Sequence, residues 1–352
     1  MTDVLTPLHI LHFHVMEKLT KYLADVCAFR YNLALPMTEK QIRKMSETVD
    51  HQTIHDLLVE IARKAGDMVA GAQPHVNTSG YKKNSADLVT ETDRAVEKYV
   101  IGKLKEVYPD YDFLGEETYV PGKKLTDRPT FICDPIDGTT NFIHAFPNVC
   151  ISLALCVYRT PVVGVIYNPY TTHMYTAIKN QGSFLTMPVR TDSPNTPAPI
   201  APRKIRLPRK SYPEPLTGLQ NALVAVEWGS DRTGPNFQIK HRTFTRLVGA
   251  VEDGGKMVHS LRSMGSAALN LCHVASGQLD MYWECGAWAW NVAAGWLIVS
   301  EAGGIMVDGN PGGWTPAVDC RRYLAVRAAP DGQKELVEEF WGCVEGEMTY
   351  NV

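Results

Sequence analysis

The stretch FICDPIDGTTNF, residues 131–142, constrains this chain more than any other. An apolar run that predicts a buried strand leads into Asp134 and Asp137, and a glycine and two threonines follow. Burying unpaired charge is costly, so the fold must compensate these two carboxylates. Any structure that the chain adopts has to provide that compensation at the end of this strand.

The overall composition is that of a folded globular protein. The chain has 352 residues, 45% of them apolar and 21% charged, which is enough for a sizeable core and for two packed domains. Its net charge of −3 lacks the basic field that nucleic-acid binding requires, so nucleic acid is not an expected partner. Eight cysteines without a CxxC pair indicate reduced thiols in a cytoplasmic protein. No apolar run reaches the ~20 residues that cross a bilayer, so no membrane association is expected.

Four parts are predicted along the chain: an N-terminal extension (1–46), an α+β metal-binding domain (47–186), a proline-rich basic insertion (187–216) and a C-terminal α/β domain (217–352). The insertion holds eight of the 22 prolines, which predicts an exposed loop with little fixed secondary structure. Elsewhere helical and strand periodicities are mixed. They indicate an α/β protein with layered sheets and helices.

Amphipathic helices are predicted over 51–72 and about 94–107, the second capped by Thr92 or Asp93. Short strands are expected at 111–117 and 129–134, followed by an antiparallel meander. In the C-terminal half the patterns predict further strands at 221–229 and in GQLDMYWE, and helices near 236–252, 265–276 and 290–304.

Four carboxylates lie where these strands end, namely Glu116, Glu117, Asp134 and Asp137. Carboxylate oxygens are the ligands that Mg²⁺ and Ca²⁺ select. Two or more such ions would neutralise the cluster and could bind a phosphate oxygen at the same time. Because Pro135 fixes the intervening backbone, the carbonyl of Ile136 is a candidate neutral ligand.

The residues after Asp137 predict the phosphate side of the same site. Gly138 permits an open turn into Thr139, and a helix beginning there would point its N–H groups at an anion. The competing interpretation is an acidic turn between two strands, capped by hydroxyls. The separate GEE sequence upstream favours a metal and phosphate site.

Several sequence blocks resemble the inositol monophosphatase family of lithium-sensitive, Mg²⁺-dependent sugar phosphatases. The blocks are DLVTETD (87–93), FLGEE (113–117), DPIDGTTNF (134–142) and WNVAAGWLIVSEAGG (290–304), supported by EWGSDR (227–232), RSMGSAALNLC (262–272) and MYWECG (281–286). They span about residues 50–325 in the order of the family. The proline-rich insertion and the CGAWAW surroundings are most similar to fungal members associated with quinate-utilisation gene clusters.

The resemblance implies a layered αβαβα sandwich of the inositol monophosphatase and fructose bisphosphatase type, and a homodimer. It implies hydrolysis of a phosphate monoester by metal-activated water, with two or three Mg²⁺ ions and a small-molecule phosphate substrate. No covalent nucleophile is then required.

Individual roles follow from the same resemblance. The first metal would be held by Glu116, Asp134 and the carbonyl of Ile136, and the second by Asp134 and Asp137. Thr139, hydrogen-bonded to Asp93, would orient the attacking water, with Glu117 nearby, and the N–H groups of Gly138 and Thr139 would hold the phosphate. The residues that would contact the polyol are Gly265, Ser266, Ala267 and Glu284. The family lysine would be Lys82 or Lys83.

One position departs from the family pattern. The last motif of the family is Trp-Asp, whereas here Asn291 follows Trp290. That aspartate normally binds the second metal and touches the substrate hydroxyl, and asparagine keeps an oxygen donor but loses the charge. A missing charge ~4 Å away is worth up to about 4 kcal/mol at an effective dielectric constant of about 20, so weaker metal binding and reduced activity are expected.

Two other functions stay open. A non-catalytic regulator that keeps the fold and binds a metabolite would explain Asn291 and the basic insertion. A 3′-phosphonucleotide phosphatase of the same superfamily is less compatible, because Thr140 and Asn141 replace the lysine and glycine that those relatives carry there. Nicotinamide and ATP enzymes are disfavoured, since neither GxGxxG nor GxxxxGK[ST] occurs.

Overall fold

The computed structural model describes residues 50–72, 80–81, 88–188 and 202–351. The predicted N-terminal extension, residues 189–201 of the proline-rich insertion, and Lys82 and Lys83 lie outside these ranges. The described residues belong to one compact unit, Val49–Val352. The division into domains at 186 and 217 stays a prediction.

The first half of the described chain forms a seven-stranded sheet with helices on one face. It begins with α1 (His51–Gly71), the two-stranded ribbon of β1 (Gly80–Tyr81) and β2 (Leu88–Val89), and α2 (Glu91–Val107). The sheet follows, with its strands in chain order: β3 (Asp112–Gly115), β4 (Thr130–Asp137), β5 (Cys150–Val157), β6 (Thr160–Asn168), β7 (His173–Ile178), β8 (Gly182–Met187) and β9 (Arg203–Arg206). The pairing of β3 with β4 is parallel and the other pairings are antiparallel, as short connections between neighbouring strands require. The short helix α3 (Thr139–Ile143) connects β4 to β5.

The second half forms a five-stranded mixed sheet. Its elements in chain order are β10 (Leu223–Val226), α4 (Gly234–Val248), β11 (Ser260–Arg262), α5 (Ala267–Ser276), β12 (Met281–Cys285), α6 (Ala289–Glu301), β13 (Ile305–Val307), β14 (Arg322–Val326) and α7 (Gln333–Trp341). The strand order is β11-β10-β12-β14-β13, with β12 and β14 antiparallel.

The buried side chains form three layers of core that match these elements. One core packs α1 and α2 on the seven-stranded sheet, and another packs α4 and α7 on the five-stranded sheet. The largest core holds α5 and α6 between the two sheets, which is why α6 is apolar almost all round. These contacts confirm the predicted αβαβα layering. Within the described residues no helix has the length and apolar character to cross a bilayer.

Two local predictions were wrong. Helix α2 begins at Glu91 with Thr90 as its N-cap, not Thr92 or Asp93. Asp93 is instead the third helical residue of a capping box, because its carboxylate accepts a hydrogen bond from the main-chain N–H of Thr90 at 2.9 Å. Arg203–Arg206 of the proline-rich insertion is not loop but the edge strand β9, with Lys204 lying 4.3 Å from the ring centre of Phe184.

Candidate active site

Strand β4 carries the two aspartates deep into the molecule. All of its residues are buried, and the exposed fraction is 0% for Asp134 and 5% for Asp137. The pairing with β5 shifts register between these two positions. Pro135 has no N–H to donate to the ladder, so an irregularity here is expected.

Asp137 lies against the first turn of α5. Its carboxylate accepts hydrogen bonds from the main-chain N–H of Ala268 at 2.8 Å and from the hydroxyl of Ser266 at 2.5 Å. Burial, with a smaller contribution from the charge of Glu227, raises the pKa of Asp137 to about 6. Its described partners are neutral donors, so its burial is only partly compensated.

Asp134 is held by a different kind of partner. One carboxylate oxygen accepts from the main-chain N–H of Ile136 at 3.1 Å, and the other accepts from the Asn291 side-chain amide at 2.7 Å. The carbonyl oxygen of the same amide accepts from the N–H of Trp288 at 2.7 Å, capping α6. Turning the amide over would place its NH₂ against an N–H and its oxygen against a carboxylate, so the hydrogen bonds fix its orientation.

Thr139 and Asp93 meet as the resemblance implied. The Thr139 hydroxyl lies 3.2 Å from the Asp93 carboxylate and 3.1 Å from the carbonyl oxygen of Ile136. Gly138 precedes α3 in a left-handed conformation (φ 98°). A β-carbon there would lie 2.9 Å from the carbonyl oxygen of Asn148, so only glycine fits.

Glu116 and Glu117 follow β3 and are half-buried. The main-chain N–H of Glu117 donates to the carboxylate of Glu97 at 2.8 Å. Glu97 is 1% exposed, one of its oxygens has no hydrogen-bond partner among the described residues, and burial raises its pKa. Glu97 was not predicted from the sequence, although its position one helical turn after Asp93 places both on the buried face of α2.

A cleft of about 850 Å³ opens beside these acids. Glu116 and Asn291 line it together with Glu284, Lys240 and Arg321, and with an aromatic wall of Tyr119, Trp288, Trp290 and Tyr350. Burial raises the pKa of Glu284 to about 7, with a further contribution from Glu227, and the charge of Lys240 opposes the shift. The cleft therefore has an acidic end and a cationic part.

The other residues expected at the polyol support this site from behind. Ser266 is occupied with Asp137, and the N–H of Gly265 donates to the carboxylate of Glu227 at 2.9 Å. Glu227 also accepts from the N–H of Met264 and from the side chain of Asn270. Lys240 is 1% exposed and donates to main-chain carbonyl oxygens of Trp228 and Cys285.

Glu227, Lys240 and Arg321 were not assigned a role from the sequence. Glu227 lies within the EWGSDR block, which was a sufficient signal to consider it. No motif marks Lys240 or Arg321, because their position in the cleft depends on the packing of distant segments.

The donors at the end of β4 fit Mg²⁺ chemically. Glu116, Asp134, Asp137 and the carbonyl of Ile136 supply only oxygen, and Asp137 is a buried carboxylate with neutral partners. In the described part of the chain no three His, Cys, Asp or Glu side chains converge as a ready-made metal cage. The amide that Asn291 turns towards Asp134 is a hydrogen-bond donor, so at that position the present arrangement offers no ligand atom.

Comparison with known proteins supports the same fold. Residues 50–345 match the model of the inositol monophosphatase family. Inositol monophosphatase 2 of Saccharomyces cerevisiae is 42% identical over 307 residues, covering 85% of this chain and 97% of that protein. The quinic acid degradation cluster protein x of Neurospora crassa is 36% identical, covering 74% and 80% respectively. The crystal structure of the extragenic suppressor protein suhB from Bartonella henselae superposes with a TM-score of 0.62 at 28% identity, covering 82% of this chain and 98% of that one.

The layered fold and these relatives place this chain in the class of the α/β phosphatases. Within this class the chain belongs to the inositol monophosphatase family. The expected similarity to fungal quinate-cluster proteins is also confirmed.

Proposed function

We propose that this protein is an Mg²⁺-dependent phosphate monoester hydrolase that acts on inositol monophosphate or a similar cyclic polyol phosphate. The observation that carries the proposal is the pair of buried carboxylates, Asp134 and Asp137, at the irregular end of β4, next to the Thr139–Asp93 pair. The similarity to the yeast inositol monophosphatase 2 supports the choice of substrate class.

In this proposal Glu116, Asp134, Asp137 and the carbonyl of Ile136 hold Mg²⁺. The bound ions would supply a lowered pKa of water and stabilisation of the leaving oxygen. A phosphoryl transition state spreads charge over three oxygens, so positioning and electrostatics provide most of the catalysis.

The remaining roles belong to the chain itself. The Thr139 hydroxyl, with Asp93 as acceptor, orients the attacking water, and Glu117 follows the neighbouring parallel strand β3. The N–H groups of Gly138 and Thr139 receive the phosphate. Glu284 lines the cleft, and its carboxylate accepts hydroxyl hydrogen bonds from the polyol.

Asn291 weakens the second metal site in this proposal. Its amide donates to Asp134, so it reduces the negative charge available to a cation and would have to move before it could offer its oxygen. We therefore expect one strong ion and one weak one, with turnover below that of a chain carrying aspartate at this position.

The direct test measures Mg²⁺-dependent phosphate release from inositol 1-phosphate, a 3′-phosphonucleotide and fructose 1,6-bisphosphate. The natural chain and Asn291→Asp are assayed side by side. We expect release from the inositol ester, with the variant faster. The proposal is refuted if neither protein releases phosphate from any ester. If the nucleotide is cleaved preferentially, it replaces inositol monophosphate as the proposed substrate.

A second candidate, a non-catalytic metabolite-binding protein, is favoured by one observation. The Asn291 amide already satisfies one oxygen of Asp134, so this side of the site is compatible with folding without a second cation. Calorimetric binding of inositol 1-phosphate by a protein that stays inactive even as Asn291→Asp would support this candidate. Rapid Mg²⁺-dependent turnover removes it.

Three further properties are expected of this protein: its assembly, its location in the cell and its inhibition by lithium. The homodimer, the cytoplasmic location and lithium sensitivity stay predictions. Analytical ultracentrifugation tests the first, fractionation of the source cells the second, and inhibition of phosphate release by Li⁺ the third.

A further inference from the structure

We infer that the cleft contains a second anion site, centred on Arg321, which takes a carboxylate or a second phosphate carried by the polyol phosphate substrate. This inference rests on the proposed function, since it specifies the substrate class of the same cleft. It concerns the part of the cleft lined by Arg321 and gives no role to the residues assigned to metal or to the attacking water.

A chain of contacts connects Arg321 to the acidic end. Its guanidinium lies 3.5 Å from the ring centre of Trp288, whose main-chain N–H donates to Asn291 at 2.7 Å. Asn291 in turn donates to Asp134 at 2.7 Å. The two ends of the cleft are thus separated by one aromatic residue and one amide.

The charge of Arg321 is only partly compensated within the described residues, where Asp231 lines the same cleft and its charge raises the pKa of the guanidinium. Its guanidinium forms no ion pair there and donates to two main-chain carbonyl oxygens, those of Asn351 and Gly286, both at 2.8 Å. A guanidinium has five N–H donors, so three remain, of which the buried Nε has no partner. Lys240, the other cation that lines the cleft, is close enough to Glu284 to lower its pKa.

The surroundings hold Arg321 in place. The residue has a left-handed backbone (φ 64°), stabilised by its N–H donating to the hydroxyl of Tyr323 at 3.1 Å. Its side chain is stacked on Trp288, with the ring centre of Tyr350 at 5.2 Å. A cation fixed by packing loses little entropy on binding a planar or tetrahedral anion, which favours recognition.

Burial makes an anionic ligand the natural partner. Arg321 is half-buried, and burial lowers the pKa of its guanidinium, with the nearest opposing influences from tyrosines and Asp231. Taking a cation out of water is costly unless an anion compensates it. A substrate with an anionic group beyond its reacting phosphate would provide that compensation.

The alternative is that Arg321 serves only to hold the C-terminal segment, through its bond to Asn351. The two roles predict different selectivity. A structural staple affects all ligands equally when removed, whereas an anion site affects only ligands with a second anionic group.

The experiment measures calorimetric binding of three probes: inositol 1-phosphate, inositol 1,4-bisphosphate and shikimate 3-phosphate. Binding is measured without added metal, so that it does not depend on turnover, and again with Mg²⁺. We expect the natural chain to bind one or both of the doubly anionic probes about 10-fold or more tightly than the monophosphate, as a charge-assisted hydrogen bond allows. The bisphosphate and the carboxylate probes distinguish the two sources of the second anion.

Arg321→Met should abolish this preference, and Arg321→Lys should retain part of it. Arg246→Met is the matched control, because Arg246 is an exposed arginine paired with Glu345 and does not line the cleft. The inference is overturned if the natural chain shows no preference, or if Arg321→Met weakens all three probes equally. Should Arg321→Met fail to fold, the natural chain and Arg321→Lys still decide.

Failure of this inference is distinct from failure of the proposed function. Phosphate release without any preference among the probes removes the anion site and leaves the phosphatase. A preference without phosphate release from any ester keeps the anion site and removes the phosphatase.

Discussion

At the acidic end of the cleft Asp134 and Asp137 come from one strand, three residues apart, whereas at the other end Arg321 meets Trp288 and Asn351 from distant parts of the chain. The acids are compensated by main-chain N–H groups, a hydroxyl and an amide. The guanidinium is held by carbonyl oxygens and aromatic rings. One cleft therefore combines a site that is local in sequence with one that only tertiary packing assembles.

The largest effect is expected from Asp134→Asn. The variant keeps oxygen for the hydrogen bond from Ile136 but loses the charge that would hold Mg²⁺, so phosphate release should fall by about 10³-fold, equivalent to about 4 kcal/mol. Steady-state assays at saturating Mg²⁺ measure it. Asp67→Asn, on an exposed position of α1, is the control and should retain the natural rate.

If Asp134→Asn retained the natural rate, the acidic end would not be the reacting end. The comparison between the two ends would then have to be reversed, with Arg321 and Lys240 as the phosphate-binding groups.

Asn291→Asp should have the next largest effect. This effect is on the free energy of unfolding, so it can be measured without an activity assay. It places a second carboxylate where an amide now donates to Asp134 at 2.7 Å. In EDTA the free energy of unfolding should fall by about 3 kcal/mol through like-charge repulsion. A shared cation removes this repulsion, so Mg²⁺ should restore most of the loss.

Urea unfolding in EDTA and in Mg²⁺ measures this change. The double variant Asn291→Asp with Asp134→Asn is the control, because it removes the repulsion and should show little dependence on Mg²⁺. Equal stability of Asn291→Asp with and without Mg²⁺ would contradict the metal site.

The contrast between residues that are close in sequence and residues that only packing brings together also explains which features could be predicted from the sequence. Asp134, Asp137 and Gly138 lie in one short segment of the chain, so strand burial and turn chemistry predicted their placement directly. The predicted N-cap of α2 was wrong by two or three residues, because the threonines and acids at 90–93 are all possible N-caps. The capping-box geometry selects Thr90. Lys240 and Arg321 escaped prediction since no local pattern encodes a cation that is positioned by packing.

A third prediction concerns Glu284, which also lines the cleft. Its pKa of about 7 in the folded protein exceeds the ordinary glutamate value of 4.5, chiefly because the side chain is buried. A raised carboxyl pKa means that the folded state binds the proton more tightly. Stability should therefore be lost as pH rises from about 4.5 to about 7, by up to about 3 kcal/mol.

Glu284→Gln should remove this loss, since its amide oxygen can still accept from the hydroxyl of Tyr282. The variant and the natural chain should be similar at pH 5, with the variant more stable at pH 8 by urea unfolding. Glu338→Gln, on an exposed position of α7, is the control. An unchanged pH profile in Glu284→Gln would show that Glu284 is not the carboxyl that couples pH to folding.

The smallest effect is expected from Tyr350→Phe at the basic end. The Tyr350 hydroxyl donates to the carbonyl oxygen of Cys285 at 3.0 Å, and its loss should lower the free energy of unfolding by about 1 kcal/mol. The effect stays small because that carbonyl also accepts from Lys240 at 2.6 Å and is not left unpaired. Urea unfolding measures it, with Tyr212→Phe on a fully exposed ring as the control.

The same variant sharpens the comparison between the two ends. The C-terminal segment is also held by Asn236, which donates to the carbonyl oxygen of Thr349 at 2.8 Å, and by Arg321 through Asn351. Loss of one hydroxyl should therefore leave Arg321 in place and the preference for doubly anionic probes intact. A collapse of that preference in Tyr350→Phe would mean that the tyrosine, and not the packing of Trp288, positions the guanidinium.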